Sequence, residues 1–337
     1  MNTTPVEYSK KDFMSDQTIR WCPGCGDYSI LSQVQTVFAG LGLAKEKYAI
    51  VSGIGCSSRF PYYMNTYGFH TIHGRATAVA TGLKLTRPDL SVWVVTGDGD
   101  GLSIGGNHMA HLLRRNVDLN VLLFNNRIYG LTKGQYSPTS EIGKKTKSSP
   151  MGSIDHPFNP IAFALGCGSS YISRSVDVFA AHLRDTLTAA NTHSGTSFVE
   201  ILQNCNIFND GAWDSMVDKE HRDGRVLYME HGKPLVWGSE DNKYGFILDG
   251  LSIKPVKLGE TYQETDCVLH DKHNLILATM LANLDPSDGA PLAVGTFYQS
   301  AKSTYDSMFS TQIADATSRL GAGDLAKLLN SGETWTV

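Results

Sequence analysis

Apolar positions in the first 205 or so residues follow two alternating rhythms. From Asp27 to Leu41 the residues Ile30, Leu31, Val34, Val37, Phe38 and Leu41 recur at helical spacing, and Gly42 supplies a stop. Tyr48 to Ser52 is a short apolar run, read as a strand, that feeds Gly53-Ile54-Gly55-Cys56. Arg75 to Thr86 reads as a helix closed before Pro88. Ser91 to Thr96 is a buried strand leading into Gly97-Asp98-Gly99. Gly106 to Arg115 is helical, and Leu119 to Phe124 is another buried strand. Phe163 to Gly166, Ser175 to Ala190 and Phe198 to Leu202 continue the alternation. Strands apolar throughout, separated by helices, predict an α/β fold with a mostly parallel sheet and helices on both faces.

Tyr129 to Phe158 breaks the rhythm. It is rich in Gly, Ser, Thr, Pro and Lys, and reads as a long surface loop, a length usually kept for function. Past Glu220 the alternation weakens to a helix at Lys272–Leu284, a strand at Leu292–Phe297 and a helix at Lys302–Leu320. The expected division is therefore an α/β domain over 1–220, with a C-terminal extension over 221–337 packed on it.

Composition narrows the classes. The 337 residues are 41% hydrophobic, enough for a sizeable core. With 29 basic and 33 acidic residues, the net charge of −4 offers no nucleic-acid footprint. The start, MNTTPVEYSKKDF, lacks the apolar stretch of a signal peptide, and runs such as Val92–Val95 are too short to cross a bilayer. The expectation is a cytoplasmic protein with no membrane partner.

The loop Gly97-Asp98-Gly99-Asp100-Gly101 stands where open α/β sheets bind ligands, at the carboxyl end of a strand. It lacks the third glycine of a dinucleotide fingerprint, which disfavours an NAD-dependent dehydrogenase, and lacks the Gly-Lys-Ser/Thr of a P-loop. Two carboxylates facing a diphosphate would repel it, by roughly 4 kcal/mol at about 4 Å and an effective dielectric of about 20. A divalent cation between them resolves the conflict, and Mg²⁺ suits a carboxylate, a neutral oxygen and phosphate. The next strand ends in Asn125-Asn126, which offers the neutral oxygen. This pairing resembles the thiamine-diphosphate motif, and the resemblance makes Asp98, Asn126 and the carbonyl of Ile128 the Mg²⁺ ligands.

Of six cysteines, Cys22 and Cys25 sit in Trp21-Cys22-Pro23-Gly24-Cys25-Gly26. A thioredoxin-like dithiol would follow a buried strand, and Lys10 to Arg20 is polar. Cys56 and Cys205 follow strands and bring the count to four thiols at one sheet edge. Zinc and an iron–sulfur cluster both suit four thiols, and the spacing alone does not choose. Cys167 and Cys267 stand alone and read as small buried hydrophobes.

Together these elements resemble the β subunit of 2-oxoacid:ferredoxin oxidoreductases, through Trp21–Gly26, Gly53–Ser57, His73-Gly74-Arg75-Ala76, Gly97–Asp100, Asn125-Asn126, Tyr129–Gln135 and Cys205. The resemblance implies a thiamine-diphosphate-binding fold and a [4Fe–4S] cluster on Cys22, Cys25, Cys56 and Cys205. It also implies cofactor contacts from Ile54, Gly55, Cys56, Ser57, His73, Gly74, Gly97, Asp98, Gly99, Asp100, Gly130, Leu131 and Thr132. The implied reaction is coenzyme A-dependent oxidative decarboxylation of a 2-oxo acid to acyl-CoA and CO₂, or its reverse, with electrons leaving through the cluster to ferredoxin. Such enzymes need a glutamate on a second α/β domain, which this chain lacks. An α subunit would supply it, in an (αβ)₂ heterotetramer.

Arg59, close after Cys56, would grip a distal carboxylate and favour 2-oxoglutarate over pyruvate. Lys133 would meet a coenzyme A phosphate. The rival readings are an electron-transfer module without thiamine chemistry and a zinc-stabilised interaction protein.

Overall fold

The structure is a computed structural model and describes residues 7–335. Its main sheet has eight strands: β1 (Tyr48–Ser52), β2 (Tyr67–His70), β3 (Ser91–Gly97), β4 (Asn120–Asn125), β5 (Tyr171–Val176), β6 (Ser197–Leu202), β7 (Val226–Met229) and β11 (Leu292–Gln299). They run in the order β2-β1-β3-β4-β6-β5-β11-β7. Every pairing from β2 to β5 is parallel. β11 then joins β5 antiparallel, with β7 parallel to β11 on the far side.

Residues alternate between two cores along each central strand. Ala49, Val51, Val92, Val94, Val121 and Leu123 face one side, where they meet Ala80, Met109, Leu112, Ile161 and Leu277 from the helices Ala76–Thr86, Gly106–Arg115, Pro160–Gly166 and Leu275–Ala282. Ile50, Trp93, Val95, Leu122 and Phe124 face the other, against Ile30, Val34 and Phe38 of Asp27–Gly40 and Leu183 and Leu187 of Ala180–Thr192. Burial on both faces is why these strands read as continuous apolar runs. The mostly parallel sheet with helices on both faces is the fold the pattern predicts.

Three features differ from the pattern. β2 is exposed at every position, so no apolar run marks it. Ser175 to Ala190 is not one element: β5 ends at Val176 and the helix begins at Ala180. Beyond residue 220 the chain is woven into the domain, because β7 and β11 complete the main sheet. A second sheet, β8 (Val236–Ser239), β9 (Asn242–Asp249) and β10 (Ser252–Lys257), is antiparallel. It contributes Trp237 and Phe246 to the first core. No helix among the described residues is long and apolar enough to cross a membrane.

Candidate active site

Because β1, β3, β4 and β6 are parallel neighbours, their carboxyl ends open on one edge. The loops leaving that edge start at Gly53, Asp98, Asn126 and Gln203. The first three, with the turn after β2 that carries His73, enclose a cleft lined by Ile54, Gly55, Cys56, Ser57, His73, Gly97, Asp98, Gly99, Asp100, Asn126, Ile128, Gly130, Leu131 and Thr132, together with Phe124 and Tyr129. Gly74 stands just behind, its N–H donating to Asp100 Oδ1 at 2.7 Å.

The two aspartates of the glycine loop have separate tasks. Asp98 is buried, and the hydroxyls of Ser137 and Thr139 both donate to its Oδ2, the latter at 2.6 Å. Burial pushes its carboxyl up to about 6, against the pull of those hydroxyls. A cation is the partner such a carboxylate calls for. Asp100 has its partners already: Oδ1 accepts from Ile54 N at 3.1 Å, Gly74 N and His73 Nδ1 at 2.6 Å, and Oδ2 from Thr96 Oγ1 at 2.6 Å. It ties the loop after β1 to the His73 turn.

Asn125 and Asn126 divide in the same way. Asn125 is buried, donating to Glu200 Oε1 at 2.7 Å and accepting from Thr139 Oγ1 at 2.9 Å. Asn126 lines the cleft, its Oδ1 accepting from Ile128 N at 3.2 Å and its Nδ2 donating to Gln203 Oε1 at 2.8 Å. Asp98, Asn126 and Ile128 all line the cleft, so a carboxylate, an amide oxygen and a main-chain carbonyl are the groups there that could hold Mg²⁺ beside a diphosphate. A Cβ at Gly99 would lie 2.2 Å from the Tyr129 ring, whose hydroxyl donates to Gly99 O at 2.9 Å. Only glycine lets the ring seat this closely.

Cys56 and Cys205 stand at the neighbouring end of the edge. A Cβ at Gly130 would lie 3.4 Å from Cys205 Sγ and 3.7 Å from Cys56 Sγ, so the missing side chain leaves that space open. Burial, then Asp27, raises the Cys25 thiol well above its ordinary value, and Cys205 and Cys56 add to the shift. Cys56 is pushed up to about 12 by burial, Asp27, Cys205 and Cys22. The four sulfurs therefore share one electrostatic neighbourhood. Trp21 is buried, and its Nε1 donates to Cys56 O at 2.6 Å, pinning the Cys22–Cys25 loop to the loop after β1. No three His, Cys, Asp or Glu side chains among the described residues converge tightly enough for a single metal ion. A four-iron cluster would bind each thiolate through a different iron.

Arg59 lines an adjoining cleft with Arg20, Gln17, Tyr62 and His70, and the two clefts share Ile54, Gly55 and Leu131. Lys133 stands outside both clefts, in an exposed turn at φ 75°. The pattern gave no sign of Ser137, Thr139, Gln203, Arg20 or His70. Ser137 and Thr139 come from the loop after Tyr129, which has no period yet buries both hydroxyls.

Residues 53–201 match the family model described as "Thiamine pyrophosphate enzyme, C-terminal TPP binding domain". The chain is 49% identical to 2-oxoglutarate oxidoreductase subunit KorB of Mycobacterium tuberculosis, across 99% of this chain and 90% of that one. It is 38% identical to 2-oxoacid:ferredoxin oxidoreductase 1, subunit beta, of Aeropyrum pernix, across 81% and 89%. Among solved structures it resembles 2-oxoglutarate:ferredoxin oxidoreductase from Magnetococcus marinus, with 2-oxoglutarate, coenzyme A and succinyl-CoA bound. There the TM-score is 0.75, with 34% identity and 97% of each chain covered.

Proposed function

The chain belongs to the β subunits of the 2-oxoacid:ferredoxin oxidoreductases, and from that premise we propose that it carries the metal-binding half of a thiamine diphosphate site and the cluster that drains it. The substrate is 2-oxoglutarate, converted with coenzyme A to succinyl-CoA and CO₂, or made by the reverse reaction. One observation supports the reading above all: Asp98 and Asn126 line the same cleft as Cys56, and Cys205 stands beside Cys56 at that edge of the sheet.

When bound, thiamine diphosphate supplies the carbanion chemistry of decarboxylation. The residues of this chain do the rest. Asp98, Asn126 and the Ile128 carbonyl would hold Mg²⁺, which would offset the charge of the diphosphate. The backbone from Ile54 to Ser57 and from Gly130 to Thr132 lines its seat, with His73 kept in place by Asp100. Cys22, Cys25, Cys56 and Cys205 would hold a [4Fe–4S] cluster, which would supply one-electron transfer towards ferredoxin. A partner α subunit adds the glutamate that completes the cofactor site, in an (αβ)₂ assembly. Arg59, beside the cofactor cleft, takes the distal carboxylate, and Lys133 at the rim meets coenzyme A phosphate. The relatives named for 2-oxoglutarate support the substrate.

Anaerobic purification with the partner subunit tests the whole. A brown protein with about four irons per chain and recoverable thiamine is expected. A colourless, zinc-containing or thiamine-free enzyme would overturn it, as would full turnover by this chain alone. Arg59→Ala should narrow the kcat/KM preference for 2-oxoglutarate over pyruvate by about tenfold or more. An unchanged preference removes Arg59 from the substrate site, and an unchanged KM for coenzyme A in Lys133→Ala removes Lys133 from that role.

A further inference from the structure

Gln203 follows β6 and is 1% exposed. Its side chain stands between the two halves of the site. Oε1 accepts from Asn126 Nδ2 at 2.8 Å, while Nε2 donates to Cys25 Sγ at 3.3 Å and to Asn204 O. The orientation of this amide is fixed at both ends by main chain. The backbone N–H of Ile128 donates to Asn126 Oδ1, so Nδ2 is the Asn126 atom that faces Gln203, and an oxygen must meet it. At the other end the Asn204 carbonyl accepts, so a nitrogen must meet it. That nitrogen is the one beside Cys25.

We infer that Gln203 is a positioning residue joining the metal turn to the thiol edge: one end of its amide aims the Asn126 ligand, and the other donates a hydrogen bond to the Cys25 sulfur. The inference rests on the function proposed above, since it takes Asn126 as a Mg²⁺ ligand and Cys25 as a cluster ligand. An N–H aimed at a ligating sulfur stabilises negative charge on it, and an arriving electron adds negative charge to the cluster and its sulfurs. The donor therefore favours the reduced cluster. Ligand-orienting partners typically change metal affinity by about 10–100-fold when removed. Gln203 contributes both effects from a single buried amide.

Two variants separate the ends. Gln203→Glu keeps an acceptor for Asn126 and removes the donor to Cys25. Gln203→Leu removes both at similar volume. The experiment uses the assembled enzyme, purified anaerobically with its iron counted. A redox titration followed by electron paramagnetic resonance gives the midpoint potential of the cluster, and calorimetry gives the Mg²⁺ concentration that half-saturates thiamine diphosphate binding. Both variants should move the potential to lower values. Leu should also raise the Mg²⁺ requirement by about tenfold or more, with Glu much closer to wild type.

A wild-type potential in a Leu variant with full iron would overturn the sulfur-facing role, and a wild-type Mg²⁺ requirement would overturn the metal-facing one. Wild-type enzyme without iron would instead defeat the proposed function, so the two failures are distinct. Should either variant fail to assemble, wild-type enzyme carrying ¹⁵N in its glutamine amides decides. Pulsed resonance on the reduced cluster should detect coupling to a glutamine side-chain nitrogen, and its absence counts against the bond.

Discussion

The metal turn and the thiol edge are neighbours built in opposite ways. At the metal turn the polar side chains are already committed: Asp98 to Ser137 and Thr139, Asn125 to Glu200, and Asn126 to Gln203 and Ile128 N. At the thiol edge the sulfurs have little support. Gln203 donates to Cys25, and burial keeps Cys25 and Cys56 in the protonated form. In the proposed function the first region is preorganised for a cation. The second takes its final form with its ligand, because thiols must lose their protons to bind metal.

That difference can be broken by mutation, most forcefully at the sulfurs. Replacing Cys25, Cys56 or Cys205 by Ser should abolish the cluster and ferredoxin reduction. Mg²⁺-dependent binding of thiamine diphosphate, read by calorimetry, should stay within about tenfold of wild type, because Asp98 and Asn126 are held by Ser137, Thr139, Ile128 N and Gln203 and not by a sulfur. Asp98→Ala makes the converse case, with iron content kept and cofactor affinity reduced by about a hundredfold or more. Loss of both properties in either variant would mean the two regions form as one.

Thr139→Val is milder. It removes one of two hydroxyls from Asp98 and should weaken Mg²⁺ binding by about tenfold, in line with about 1.5–3 kcal/mol for a hydrogen bond to a charged group. If affinity is unaffected, the hydroxyl is not what prepares the site.

The smallest effect is on stability. Asp177 is buried close to the thiol edge, and Oδ2 accepts from Asn204 N at 2.9 Å. Burial pushes its carboxyl up to about 6, against an ordinary value of 3.8. Between those values the folded chain holds a proton that the unfolded chain has released. Stability therefore falls as pH rises through that window, and the cost is complete above about 6. Asp177→Asn removes the titration. Its Tm should match or exceed wild type at pH 8 and lose the advantage at pH 4, with a difference of up to roughly 2–3 kcal/mol. Parallel pH profiles would show that Asp177 does not titrate in that range.

How much of this the chain reveals depends on what kind of order a residue obeys. β1, β3 and β4 are legible because two-sided burial writes near-continuous apolar runs, and β6 because Phe198-Val199 and Ile201-Leu202 flank its buried Glu200. β5 is hidden by its polar content: Ser173 and Ser175 are fully buried, and Arg174 pairs with Glu200 at 2.7 Å. Such a strand looks like the start of the helix that follows it. Asp98 and Asn126 are legible because fixed strand ends place them. Ser137, Thr139 and Gln203 gain their roles only from tertiary contact, which leaves no period. The division at residue 220 marks a change of rhythm while the sheet continues past it, because strands joined by antiparallel pairing need not alternate with helices.

The late arrival of β11 has a consequence for how the protein is made. On the ribosome, β5 emerges more than a hundred residues before the strand that covers it. Until Leu292–Gln299 is released, β5 has one row of backbone groups unpaired, and an open edge of this kind invites another chain to add to it. The cofactor edge can be assembled while the far side of the sheet is still raw. Nascent chains stopped short of β11 are thus expected to associate with one another.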